Sequence, residues 1–192
     1  LLDIGFDDGD LSDIWDDVLE LQDDEFNEEK AVKEAEKTDI KTGDIFALGN
    51  HRLVCGDSTD KEVVARLLGE QRIQTVYCDP PYNIALDYNK GVGGNANYGG
   101  TVDDKKTNTE FRIFLKLVMQ SALSVSEKDA HHFWYCDQKY VGMLQNLYEE
   151  LGIAYKRTAL WVKNGINPTP KIAFNKCYEP CVYGTTGKPY LS

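Results

Sequence analysis

From residue 41 onward the chain alternates short apolar runs with amphipathic stretches, and the change of period separates strand from helix. Apolar runs at 51–55, 73–78, 130–136, 155–162 and 178–183 predict strands. The intervening stretches 61–68, 109–125 and 138–151 carry apolar residues three and four apart and predict helices, the first capped by Thr59 or Asp60. In the second helix Phe111, Phe114, Leu115, Val118, Met119 and Leu123 form one stripe, which reads as core packed against a sheet. Strands alternating with helices predict an α/β fold with a mainly parallel sheet and flanking helices.

The first forty residues do not share this texture. Leu11, Ile14, Trp15, Val18 and Leu19 keep a weak helical period, but sixteen Asp or Glu stand there against three Lys. Charge at that density reads as an acidic linker with helical pieces, or the tail of a preceding domain, ahead of a domain at 41–192. The acidic stretch also changes the meaning of the net charge of -11, since the remaining residues carry sixteen acids and eighteen bases. The main domain is near neutral, so an anionic partner is not excluded. With 42% hydrophobic and 11% aromatic residues it has enough apolar mass for a core. The chain has no long apolar span and no leader pattern, and its five cysteines are odd in number without zinc spacing. This predicts an intracellular, cytoplasmic protein with reduced thiols and no membrane partner. The opening on Leu1 within an acidic run predicts a piece of something longer.

The chemistry centres on Asp79-Pro80-Pro81-Tyr82, directly after the apolar run 73–78. Open α/β sheets bind ligands beyond the carboxyl ends of their strands. Two prolines fix the backbone and remove two donors, leaving a stiff turn with outward carbonyls. An exocyclic amine is a poor nucleophile because its lone pair is delocalised. Accepting its N–H bonds on the Asp79 carboxylate and a turn carbonyl favours the tetrahedral nitrogen that attacks. Tyr82 offers a face on which a base flipped out of a duplex can stack. Residues 86–108 follow with five glycines (Gly91, Gly93, Gly94, Gly99, Gly100) and no apolar period. A loop of that length beside such a motif is expected to act as a lid or a DNA-contacting loop.

With these residues the sequence resembles the amino-methyltransferases of DNA, in which Asp-Pro-Pro-Tyr marks the catalytic loop of N6-adenine enzymes while N4-cytosine members more often begin with Ser. "HRLVCGDSTD" (51–60) looks like the segment before the catalytic strand in the permuted β group, and "ALWVKN" with "CYEPCVYG" looks like its later strand pair. The acidic lead-in resembles proteins that fuse a ParB-like domain ahead of the methyltransferase. The resemblance implies a Rossmann-like sheet, S-adenosylmethionine as methyl donor and double-stranded DNA as partner. It implies catalytic roles for Asp79, Pro80, Pro81 and Tyr82, and cofactor contacts from Asp57, Ser58, Cys78 and Asn83. Lys163 and Glu179 read as ordinary charges at strand ends.

The family's Phe-x-Gly-x-Gly turn is not found in the sequence: Phe46-Ala47-Leu48-Gly49-Asn50 lacks the second glycine. In the permuted group that turn and the target-recognition region follow the catalytic motif, so truncation is expected. Strands supplied by the remainder would lie between the strand near Cys55 and the one ending at Cys78. The sheet of this chain should then have an open edge that invites pairing with a second copy. Two other readings stand beside this one: methylation of RNA or of cytosine N4, and a non-catalytic DNA-binding or phage-assembly module.

Overall fold

The computed structural model describes residues 39–85, 104–167 and 176–191. The helical pieces expected within the first forty residues, and residues 86–103 of the glycine-rich loop, lie outside them.

The described chain begins with a two-stranded antiparallel hairpin, β1 (Ile45–Leu48) and β2 (His51–Val54). Its turn opens with Gly49 at φ 62°, a left-handed backbone that glycine adopts without a Cβ clash. Helix α1 (Lys61–Leu68) follows, capped by the Asp60 carboxylate, which accepts from the Glu62 N–H at 2.8 Å. None of its residues is buried, so it lies on the surface.

The main sheet has four strands in the order β3 (Ile73–Cys78), β4 (Ser126–Tyr135), β6 (Lys176–Thr186), β5 (Ala154–Asn167). Helix α2 (Asn108–Val125) connects β3 to β4, and a 3₁₀ turn (Gln138–Tyr140) with helix α3 (Val141–Leu151) connects β4 to β5. The pairing of β3 with β4 is parallel; β6 pairs antiparallel with both β4 and β5. This corrects the expectation of a mainly parallel sheet. Three strands do run the same way, each reached through a helix, but β6 inserts between two of them in the opposite sense. The gap from Asn167 to Lys176 is shorter than the dozen or so residues a parallel crossover needs, so β6 turns back on β5.

The strand near Cys55 is also placed differently from expectation: β2 belongs to the separate hairpin and not to the main sheet. Among the described residues β3 pairs only with β4, so its other edge is open. The helix expected over 138–151 starts as a 3₁₀ turn, capped by the Asp137 side chain, which accepts from the Lys139 N–H at 3.0 Å.

One face of the sheet packs on α2 and α3. Phe111, Leu115 and Met119 of the predicted stripe are buried with Leu144, Leu147 and Tyr148 against Val76, Trp134 and Val182. Alternation puts His131, Phe133 and Tyr135 on the opposite face, where the rings of Phe133 and Tyr183 stack at 4.6 Å and Tyr77 donates to Tyr135 at 2.9 Å. The result is an α/β fold with a mixed sheet and flanking helices. No helix of the described residues is long and apolar enough to cross a membrane.

Candidate active site

Asp79 leaves the sheet at the carboxyl end of β3, next to the end of β4, where Cys78 pairs with Trp134. Its side chain is exposed, while Pro80 is buried and Pro81 and Tyr82 are half-buried, so the carboxylate stands on a turn anchored by its proline. The Tyr82 hydroxyl donates to Glu179 Oε2 at 3.3 Å. Burial, followed by hydrogen bonding to Asp79, pushes the Tyr82 phenol far above its ordinary pKa, so it stays a donor at any working pH.

Behind Tyr82, strands β5 and β6 place Trp161 opposite Glu179. Glu179 Oε1 forms an ion pair with the Lys163 ammonium, which sits 4.6 Å from the centroid of the Trp161 ring. Lys163 and Glu179, which read as plain strand-end charges in the sequence, therefore form one string with the motif tyrosine. Their separation in the chain hides the connection, which only the β5–β6 register makes.

The exit of the turn is held more firmly than its apex. Asn83 is buried at φ 55° and Ala85 has φ 59°, two left-handed backbones outside glycine. Asn83 N–H donates to Asp104 Oδ1 at 2.7 Å, Ile84 N–H to Asp104 Oδ2 at 3.2 Å, and Ala85 N–H to the Asp104 carbonyl at 2.9 Å. The Asn83 side-chain amide donates to the Lys106 carbonyl and to the Tyr140 hydroxyl, both at 2.9 Å, and accepts from the Lys106 N–H at 2.7 Å. An amide engaged at both ends is not presented to a ligand. Asp104 and Tyr140 were not legible as site residues: one lies in the loop without apolar period, the other in a predicted helix.

Of the other residues proposed from the sequence, Asp57 and Ser58 are exposed in the turn between β2 and α1. Asp57 Oδ1 accepts from the Thr59 N–H and hydroxyl, each at 2.8 Å, and these bonds hold its pKa below the usual carboxylate range. It is a fixed anionic acceptor open to solvent. Cys78 is half-buried; burial and the neighbouring Asp79 charge push its thiol up to about 12, so it stays a neutral thiol. All five cysteines are free. No group of metal-ligating side chains occurs among the described residues.

Against known proteins, no curated protein matches the chain. Several solved structures resemble it distantly, among them the two that follow. The crystal structure of M1.HpyAVI is 13% identical, covering 70% of this chain and 56% of that one, with a TM-score of 0.46. That of the M1.HpyAVI-SAM complex is 15% identical, covering 70% and 54%, with a TM-score of 0.43. The chain thus spans a little over half the length of these structures. A family model described as DNA methylase, of the N6/N4 methyltransferase type, matches residues 73–191. That span runs from the first residue of β3 through the Asp79 turn to the last described residue beyond β6, well over half of the chain, and the protein therefore belongs to the N6/N4 family of DNA methylases.

Proposed function

We propose that the protein, in its full-length form, transfers a methyl group from S-adenosylmethionine to the exocyclic N6 of adenine in double-stranded DNA. The observation that carries this reading is the exposed Asp79 carboxylate at the carboxyl end of β3, on a turn whose two prolines donate no hydrogen bonds. An acceptor fixed in that way needs no reorganisation to take an amine N–H. Asp rather than Ser at position 79 favours adenine over cytosine within the resemblance described above.

Asp79 and a turn carbonyl accept the two N–H bonds of the amine and draw its nitrogen towards tetrahedral geometry. Tyr82, half-buried and protonated, provides a ring face for the extruded base. The bound cofactor supplies an electrophilic methyl group. On this chain the fixed, anionic Asp57 with the neighbouring Ser58 suits an amine or hydroxyl of that group, and Cys78 lines the strand end beside Asp79. Asn83, expected to contact the cofactor, spends its side-chain amide on Lys106 and Tyr140 and serves the site by holding its backbone.

The test is calorimetric titration of S-adenosylmethionine into the full-length protein, with methyl transfer to duplex DNA and to RNA followed by mass spectrometry. Binding, together with an N6-methyladenine product that disappears in Asp79→Ala, supports the proposal. Methylcytosine or methylated RNA would replace the substrate assignment, and absence of cofactor binding would favour a non-catalytic DNA-binding module.

A further inference from the structure

The prolines stiffen the Asp79 turn but leave it without backbone donors at two positions. Pro80 and Pro81 donate no hydrogen bonds, so beyond the burial of Pro80 and the Tyr82–Glu179 bond, whatever holds the backbone of the turn acts on the strand before it or on the residues after it. The strand side is an edge: among the described residues β3 is paired on one side only. The holding point is therefore on the far side of the motif, where three successive N–H groups, of Asn83, Ile84 and Ala85, converge on Asp104.

We infer that Asp104, with Asn83 and Tyr140, forms a positioning clamp that sets the geometry of the catalytic turn from outside the motif; this rests on the function proposed above. Asp104 is 3% exposed, and its two carboxylate oxygens accept from adjacent amides, which requires those amides to point the same way. A left-handed residue at position 83 aims them so. An L-residue enters that region reluctantly, with Asn among the most tolerant, and the side chain of Asn83 stabilises it by pairing in both directions with the Lys106 backbone. Tyr140 closes the ring: its hydroxyl accepts from the Asn83 amide at 2.9 Å and donates to the Asn83 carbonyl at 3.4 Å. Its own ring is fixed against Phe111 of α2, with centroids 4.7 Å apart. The clamp thus ties the turn to the start of α2 and to the 3₁₀ turn after β4. Those two elements flank the strand ends where the reaction is placed.

Asp104 and Tyr140 act through the turn and touch no substrate, so their loss should slow turnover without weakening ground-state binding. In the full-length protein, Asp104→Asn and Tyr140→Phe are expected to lower kcat at least tenfold and about threefold respectively, with KM for cofactor and DNA within about twofold of wild type. Amide hydrogen exchange at residues 83–85 should accelerate in both, while Tm stays close to wild type. Asp104→Glu, which keeps the charge, should recover part of the lost kcat. Unchanged exchange at 83–85 in Asp104→Asn would overturn the clamp, as would a fall in kcat matched by a general loss of protection across the sheet. A wild-type protein that transfers no methyl group would sink the proposed function but not this inference, which the exchange at 83–85 then decides alone.

Discussion

The Tyr82 hydroxyl lies 3.3 Å from a Glu179 carboxylate oxygen 97 residues later in the chain, and it also reaches Asp79. A phenol carries one proton and donates it to one carboxylate at a time. When Glu179 accepts that hydrogen bond, Asp79 stays open for the amine contact proposed above. Glu179→Ala is expected to turn the Tyr82 hydrogen bond onto Asp79 and lower kcat about tenfold, roughly 1.4 kcal/mol of barrier. In a Tyr82→Phe background, where the competing proton is gone, the same change should have little further effect. A double-mutant cycle on methyl transfer measures this, and simple additivity would refute the coupling.

His132 is fully buried on the helix-covered face of the sheet, and Nδ1 has no hydrogen-bond partner. Burial, then the neighbouring His131, lowers its pKa to about 4. The folded state therefore keeps it neutral while the unfolded chain protonates it near 6.5. Stability is complete above the unfolded value, falls as pH drops from about 6.5 to about 4, and levels off below, a loss of about 3 kcal/mol. Urea denaturation between pH 7.5 and 4 should show this slope, and His132→Phe should flatten it.

Gly184 lies in β6 directly under the ring of Tyr148. A Cβ built there would stand 2.6 Å from Tyr148 Cε2 and 2.9 Å from the Ala154 carbonyl oxygen. Both neighbours are fixed, one by burial and one by its strand, so Gly184→Ala should destabilise the fold by about 1–3 kcal/mol. Thermal unfolding of the variant against wild type reads the cost directly.

At the start of α2, the Thr107 hydroxyl accepts from the Glu110 N–H at 3.3 Å, and Glu110 Oε2 accepts from the Thr107 N–H at 2.9 Å. This reciprocal cap begins three residues after Asp104 and fixes where the helix starts. Thr107→Ala is expected to cost about 1 kcal/mol in chemical denaturation. Because Lys106 is bonded to Asn83, the same variant should also raise hydrogen exchange at residues 83–85.

Local pattern determined much of this protein. The stripe from Phe111 to Leu123 marked α2 and its buried face, the apolar run 73–78 marked β3 to the residue, and Asp79-Pro80-Pro81-Tyr82 pointed to the DNA methylase family, because helix period, strand period and proline geometry are all properties of neighbouring residues. Strand order was a different matter. That β6 inserts antiparallel between β4 and β5, and that β2 leaves the main sheet for a hairpin with β1, depends on pairings between distant segments that no local period encodes. The same holds for the site. Asp104 carries no mark in a stretch without apolar period, Tyr140 reads as one more helix residue, and Glu179 reads as a surface charge. Each gains its role from a hydrogen bond spanning 20 to 97 residues of chain, to Ile84, Asn83 or Tyr82, and only the folded backbone brings those partners within reach.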